Sequence, residues 1–337
     1  MWAFVFKRTL IALSVAFTIS VLCFSLLQLS GDLALSIGGP EATAEQVEQI
    51  RTDYGLDRPV IQQFTSWLWG AVQLDFGRSY YYQSDVMDLV VERLPVTMTL
   101  GVMSLAIALF VSIPLGVVAA LKRGSWIDRM AMAIAVTGQA MPNFWFGLTL
   151  IILFAVKLQW FPAAGSDSWQ GFVLPAVALG YYATPAMMRL TRSGMLEVLE
   201  ADYIRTARAK GLRTGSVIFK HALRNAVIPV VALAAVELGF MLGGSVVIET
   251  VFSLRGLGQL AWNAISRNDY PVVQAIVLII ALFYIVLTLL ADILNAVLDP
   301  ACARVNGEHH GKYPFPTGGR RTTAGRYLAV TPISQHA

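Results

Sequence analysis

The sequence contains little charge for its length. Only 14% of its 337 residues are Asp, Glu, Lys or Arg, whereas 56% are hydrophobic. Soluble domains carry about 25% charged residues, so this composition argues against an ordinary soluble domain. It predicts an all-α protein that crosses a membrane several times.

Cysteine and histidine are also scarce. The two cysteines, Cys23 in an apolar segment and Cys302 in a polar tail, do not make a disulfide framework. Two of the four histidines are adjacent, His309-His310, and we interpret them as tail residues rather than metal ligands. We therefore expect no metal site in this chain.

Motifs for hydrolytic or redox chemistry are missing as well. The sequence has no Gly-x-x-x-x-Gly-Lys-Ser/Thr phosphate loop, no His-Glu-x-x-His and no Gly-x-Ser-x-Gly. We expect the chain to bind no ATP itself and not to be an enzyme. Two alternatives stay open here: an intramembrane enzyme, whose nucleophile needs no long motif, and a carrier driven by an ion gradient.

Long apolar segments are what the sequence has in abundance. We predict six membrane spans, over 9–29, 95–121, 131–156, 171–188, 227–248 and 272–298. A span needs about 20 apolar residues, and the first segment is longer than the core of a cleaved signal peptide, so we expect it to be retained. An even number of spans places both termini on one side.

The distribution of Lys and Arg predicts which side that is. The side of the termini carries 18 of the 25 basic residues, and the opposite side carries 7. Cytoplasmic loops of membrane proteins are enriched in Lys and Arg. Both termini are therefore predicted to be cytoplasmic.

These spans divide the chain into four regions. Residues 1–30 hold the N-terminal end and first span, 31–94 an extracytoplasmic excursion, 95–301 the core with a cytoplasmic loop at 189–226, and 302–337 a disordered tail. In the excursion, Thr43-Ala-Glu-Gln46 fits a capping box that opens a short helix ending near Tyr54.

Two acidic residues fall inside the predicted spans. An acid at mid-bilayer costs roughly 3 kcal/mol or more, so it faces a pore or a partner. Glu237 lies near Gly239, Gly243 and Gly244, and two readings stay equally open: a polar lining of a solute path, or a hydrogen-bonded carboxyl between packed helices. For Asp292 a capping or packing role is favoured.

The polar segment from Arg189 to Arg224 interrupts the second half of the chain. It carries eight Lys and Arg residues, and Leu196, Leu199 and Tyr203 recur at helical spacing. Asp202 precedes Arg205 by three residues, a spacing that supports a helix, and Gly211 predicts its end. The loop is thus predicted to be folded, and a folded loop between spans serves contact with something outside the membrane.

Residues 191–212 resemble the cytoplasmic "EAA" loop of ABC importer permeases, within the dipeptide, oligopeptide and nickel branch. Further landmarks of that family occur in order along the chain: Leu94-Pro-Val-Thr97, Ile113-Pro-Leu-Gly116, Met141-Pro-Asn-Phe-Trp-Phe-Gly147, Leu174-Pro-Ala176, Ala222-Leu-Arg-Asn-Ala226, Val247-Ile-Glu-Thr-Val-Phe252, Gly256-Leu-Gly258, Asp269-Tyr-Pro-Val-Val-Gln274 and Leu298-Asp-Pro300.

The resemblance implies a type I importer permease in the bacterial inner membrane, working with a homologous second permease, two ABC ATPases and an extracytoplasmic binding protein. Membrane lipid surrounds such a protein, and no nucleic acid is involved. ATP and Mg²⁺ would bind to the ATPases, and peptides are the implied cargo, with nickel or a nickel chelate as the alternative. The residues implied to couple to the ATPase are Glu200, Ala201, Asp202, Tyr203, Arg205, Thr206, Ala207, Arg208, Gly211, Arg224, Asn225 and Pro229, with Ala207 and Gly211 at the contact.

Overall fold

A computed structural model describes residues 2–29, 33–38 and 42–298. The regular structure in these ranges is helical, and they contain no strand. The predicted tail at 302–337, with Cys302 and the His309-His310 pair, lies outside the described residues.

Fourteen α-helices are described within these ranges. They are α1 (Trp2–Leu29), α2 (Leu33–Gly38), α3 (Ala44–Asp53), α4 (Val60–Val72), α5 (Val86–Leu121), α6 (Trp126–Ala140), α7 (Asn143–Leu150), α8 (Val173–Glu200), α9 (Asp202–Ala209), α10 (Thr214–Ser216), α11 (Leu223–Ala226), α12 (Ile228–Val251), α13 (Leu257–Ser266) and α14 (Tyr270–Leu298). A π-helical segment, Ile151–Lys157, extends α7, and another, Val217–Ala222, joins α10 to α11.

Five of these helical segments are long and apolar enough to cross a membrane. They are Val5–Ser25, Val86–Leu121, Trp169–Glu200, Ile228–Val251 and Tyr270–Leu294. They correspond to the first, second, fourth, fifth and sixth predicted spans. The count of six and the location of the termini stay predictions.

The segment predicted as a span over 131–156 is not one continuous helix. The chain leaves the helical conformation at Met141, with φ −89° and ψ 133°, and a new helix begins after Pro142. Proline lacks an N–H, and its ring forces the preceding residue into extended backbone. The apolar piece after the break, Asn143–Lys157, spans about 22 Å at 1.5 Å per residue, less than the roughly 30 Å hydrocarbon core.

Several predicted span limits also differ from the structure, and α8, for example, continues to Glu200 instead of ending at residue 188. Helix α5 begins at Val86, before the predicted start at residue 95, and runs through Pro95 and Pro114. Helix α12 continues to Val251 rather than ending at residue 248, and this extension brings Glu249 into the helix.

Helix α8 lies at the centre of the bundle. It contacts α5 along most of its length and also packs against α6, α7 and α12, while α14 packs on α12 and α1 on α14. The main core contains Leu100 of α5, Leu179 and Met187 of α8, and Met241 of α12, all buried. Within a membrane such packing is stabilised by van der Waals contact between the helices rather than by removal of the side chains from water.

The described part of the predicted extracytoplasmic excursion is folded and attached to the bundle. The capping box is confirmed, because Thr43 Oγ1 accepts from the Gln46 N–H at 3.3 Å and Gln46 Oε1 accepts from the Thr43 N–H at 2.8 Å. At the other end of the excursion, Ser79 Oγ donates to the buried carboxylate of Asp269, just before α14. The Tyr80 N–H donates to the same carboxylate at 3.2 Å.

Candidate functional site

The predicted cytoplasmic loop begins where α8 ends at Glu200. Ala201 is extended, with φ −69° and ψ 148°, and turns the chain into the short helix α9. Asp202 in the first turn and Arg208 in the last turn complement the helix dipole. Gly211, with φ +76°, ends the segment in a conformation that other residues adopt at a cost. The predicted glycine stop is confirmed, but Leu196 and Leu199 belong to α8 rather than to the helix of Tyr203.

One face of α9 is packed into the protein. Ile204 is fully buried and Ala207 is 8% exposed, and both join a cluster with Val117 of α5, Met195 of α8 and Val217. This packing fixes α9 to the ends of α5 and α8. The Ala207 side chain thus faces the ends of α5 and α8 rather than solvent.

The opposite face of α9 and the segment after it are exposed. We define the loop surface by Tyr203, Arg205, Arg208, Leu212 and Phe219, which are all exposed. Tyr203, Leu212 and Phe219 are 45%, 42% and 66% exposed, and they lie among the basic side chains of the loop. A charged rim around exposed apolar groups is typical of a docking surface.

The remaining predicted coupling residues lie around this surface. Glu200, Asp202, Thr206, Gly211, Arg224, Asn225 and Pro229 are exposed, and Ala201 is half-buried. The structure therefore brings the predicted set together on one end of the bundle, with the buried Ala207 beneath it. Phe219 was missed, because its neighbours Ile218 and Lys220 show no helical pattern that singles it out.

Hydrogen bonds hold the loop surface in shape. Asn225 Nδ2 donates to the Tyr203 hydroxyl at 2.8 Å, which joins the end of α11 to α9. The predicted pair of Arg205 and Asp202 is confirmed at 3.1 Å, and Arg205 also donates to the Glu200 carbonyl at 3.3 Å. These groups are exposed, so each contributes at most about 1 kcal/mol and serves mainly to orient the side chains.

A second ion pair ties α6 to α8 just beside the loop. Arg192 donates from Nε and Nη2 to the two carboxylate oxygens of Asp128, each at 2.8 Å. Asp128 is buried and also accepts from the Gly124 N–H at 3.0 Å. The hydrogen bonds from Arg192, then from Gly124, hold the pKa of Asp128 at about 2, below its ordinary 3.8. The sequence reasoning missed this pair.

The predicted path residues do not form one polar lining in this chain. Gly239 is buried and packs against Tyr284 of α14, where an added Cβ would lie 2.7 Å from Cδ2 of the ring. Gly239, Gly243 and Gly244 line a groove of about 830 Å³ between α1, α12 and α14, whose other lining residues are largely apolar. Glu237 lies outside that groove and is half-buried.

Asp292 has a packing role, as the sequence favoured. Its carboxylate pairs with Arg8 at 3.0 Å and joins α14 to α1. The start of α1 and the end of α14 therefore lie at the same end of the two helices.

Glu249 lies inside the span Ile228–Val251 and was not among the predicted acidic residues. Glu249 of α12 is fully buried, and its carboxylate accepts from the Thr97 and Ser245 hydroxyls, both at 2.8 Å. It also accepts from the Gln259 N–H of α13 at 3.0 Å. Three helices thus meet at one buried carboxylate that is satisfied by its neighbours.

Family models cover most of the chain. Residues 112–304 match "Binding-protein-dependent transport system inner membrane component", and residues 1–101 match the N-terminal model of the same transport systems. The chain belongs to this family of inner membrane components.

Curated relatives and a solved structure agree with this assignment. The permease is 42% identical over 299 residues to the glutathione transport system permease protein GsiC of Escherichia coli (strain K12), and equally to that of Shigella dysenteriae serotype 1, covering 88% of this chain and 98% of the relative. An inward-facing structure of the MetNI methionine ABC transporter matches 63% of this chain and 97% of its own, with 21% identity and a TM-score of 0.53. That likeness shows the fold alone.

Membership settles the class of the protein. The permease is a multi-pass subunit of a bacterial inner-membrane ABC importer, a transport subunit rather than an enzyme. A substrate-binding protein and an ATPase are its partners. The alternatives of an intramembrane enzyme and an ion-gradient carrier are set aside. These relatives give the nickel alternative no support.

Proposed function

We propose that the permease imports small peptides, with glutathione as the first candidate cargo. The support is the similarity to glutathione permeases, which extends over 88% of this chain rather than over one motif. Selection of the cargo is proposed to rest mainly with the binding protein.

In this proposal the permease pairs with a homologous second permease, and two ABC ATPases hold the ATP and Mg²⁺. Six crossings then place both termini and the loop surface in the cytoplasm. The 18 to 7 distribution of basic residues supports this orientation. So does the Arg8–Asp292 pair, which places the beginning of α1 beside the end of α14.

The loop surface is the proposed contact with the ATPase. The observation that supports this contact is that one face of α9 is buried against the spans and the other is exposed. Ile204 and Ala207 attach α9 rigidly to α5 and α8, while Tyr203 and Arg205 point outward. A movement of the partner is therefore transmitted to the spans. ATP binding drives transport only if it favours one packing of the spans through differential contacts.

Glu237 is proposed to face the solute path. Its side chain is only half-buried, although it lies on a helix of the bundle interior. A span carboxyl in such a position faces water or a polar partner rather than lipid.

The proposed cargo is tested with liposomes that contain the complete transporter and internal ATP. External binding protein and radiolabelled glutathione are added, and accumulated label is measured. We expect uptake that requires ATP and that excess unlabelled glutathione inhibits, but nickel chloride does not. Uptake that an ion gradient drives without ATP, or uptake of nickel in place of peptide, would contradict the proposal.

A further inference from the structure

Helix α6 is interrupted at a point where its last residues, Gln139 and Ala140, are exposed. Helix α6 ends at Ala140, and Met141 and Pro142 separate it from α7. The last carbonyls of a helix have no intrahelical donors, and the chain that follows here cannot continue the ladder. Interrupted helices of this kind mark substrate sites in transporters, because they present free polar groups away from lipid.

Arg189 of α8 extends to this interruption. Its Nη1 donates to Oε1 of Gln139, at the end of α6, at 3.2 Å. The neighbouring Arg192 is neutralised by Asp128, but none of the ion pairs found in the described part of the chain includes Arg189. Arg189 is half-buried. Its positive charge is therefore only partly solvated and has a neutral amide as its partner.

A cavity of about 460 Å³ opens beside this guanidinium. Arg189, Arg192 and Ser193 of α8 form its polar wall, and Met132 of α6 and Leu233 of α12 form part of its apolar wall. Sites for small ligands have volumes of about 300–1,000 Å³ and combine apolar walls with a few polar groups. This groove is open to the surface and has room for the carboxylate end of a short peptide.

We propose that Arg189, held by Gln139, binds a carboxylate of the cargo as it passes between α6, α8 and α12. This inference rests on the proposed function, because a peptide cargo carries at least one carboxylate. A guanidinium presents paired N–H donors that match a carboxylate. A transport site must also release its cargo, and one partly solvated arginine holds a carboxylate only weakly.

The position of Arg189 argues for cargo over lipid. The guanidinium points to the interrupted end of α6 and to a cavity shared by three helices. A lipid phosphate would instead be bound on the outside of the bundle, at the membrane surface. If Arg189 binds a lipid phosphate instead, its replacement should affect uptake only when an anionic lipid is present, and the test below includes that comparison.

The test compares Arg189→Gln, Arg189→Lys and wild type in the complete transporter reconstituted with its binding protein. Uptake of radiolabelled glutathione and ATP hydrolysis stimulated by the loaded binding protein are measured on the same liposomes. We expect Arg189→Gln to lower uptake about tenfold or more, as for loss of a charge-assisted hydrogen bond. Arg189→Lys keeps the charge but not the paired donors, so it should lower uptake less than Arg189→Gln does. ATP hydrolysis should stay close to wild type in both.

Arg129→Gln is the matched control. It removes one exposed positive charge from α6 on the same side of the protein, and Arg129 does not line the cavity. Its uptake and ATP hydrolysis should both equal those of wild type.

Three results would overturn the site. They are unchanged uptake by Arg189→Gln, a parallel fall of uptake and ATP hydrolysis, and a defect that appears only when phosphatidylglycerol is present in the liposomes. If the wild type imports no glutathione, the proposed cargo is refuted instead. The same comparison then runs with a dipeptide that the wild type does import, and the ratio of uptake to hydrolysis decides the role of Arg189.

Discussion

Arg192 of α8 makes a bidentate ion pair with Asp128 of α6, and both N–O distances are 2.8 Å. Asp128 is 5% exposed, so the carboxylate depends on this partner and on Gly124. The pair joins the start of α6 to the last turns of α8, which lead into the loop surface.

We predict that Asp128→Asn and Arg192→Lys each destabilise the permease, because each loses the matched geometry of guanidinium and carboxylate. The double variant should lose less than the sum of the single ones, with a coupling of about 1–3 kcal/mol. Thermal unfolding of the detergent-purified permease measures this, and Arg123→Lys at the exposed pair with Glu200 is the control. Additive losses would contradict the coupling.

The same pair predicts a pH dependence. The pKa of Asp128 is lowered from 3.8 to about 2, so folding favours its charged form. Its contribution to stability is therefore complete above about pH 4 and is lost as the pH falls through about 2. The difference in unfolding temperature between wild type and Asp128→Asn should be constant from pH 5 to 8 and shrink below about pH 4. A difference that persists at the lowest pH would refute the assignment.

The sequence predicts much of the loop and little of what surrounds it. The Asp202–Arg205 pair and the Gly211 stop are local features, and the structure confirms them. The helical spacing of Leu196, Leu199 and Tyr203 instead runs across two helices. The pair of Asp128 and Arg192 joins residues 64 positions apart, and no local pattern encodes which acid meets which base. Pro142 marks the break at Met141, but because it lies within apolar sequence the pieces on either side of it were grouped as one span. Glu249 was overlooked because the predicted span ended one residue before it.

We predict that Ile204→Ala and Tyr203→Ala separate the two faces of α9. Ile204 is fully buried, so its truncation leaves a cavity and lowers stability by about 2–5 kcal/mol. Tyr203 is 45% exposed, and its truncation should cost little stability but weaken the response to the ATPase. Thermal unfolding and stimulated ATP hydrolysis are measured for both. Equal loss of stability would refute the two-sided arrangement.

We predict that Glu249→Ala destabilises the junction of α5, α12 and α13. The Gln259 N–H then loses its acceptor, and the hydroxyls of Thr97 and Ser245 each lose the carboxylate that accepts from them. Each buried group left unsatisfied costs about 1–3 kcal/mol. Glu249→Gln should be much milder, because the amide oxygen still accepts from Gln259 and its NH₂ donates to the hydroxyls. Unfolding temperatures of the two variants check this, and a Glu249→Gln variant as unstable as Glu249→Ala would show that the negative charge itself is required.

The central claim is that the loop surface carries energy from separate ATPases to the spans. Gly211→Trp tests it poorly, because at φ +76° the substitution also strains the backbone. Phe219→Asp is sharper, because Phe219 is 66% exposed and its change leaves the core intact. Trp126→Asp, at a 72% exposed residue of α6, is the matched control.

The deciding measurement is copurification of the ATPase with each permease variant from membranes, together with ATP-dependent glutathione uptake in liposomes. We predict that the Phe219→Asp permease no longer copurifies with the ATPase and that its uptake falls at least tenfold, as expected for loss of an apolar anchor in a docking surface. Trp126→Asp should retain both. A Phe219→Asp permease that binds its ATPase and imports glutathione as the wild type does would contradict the account.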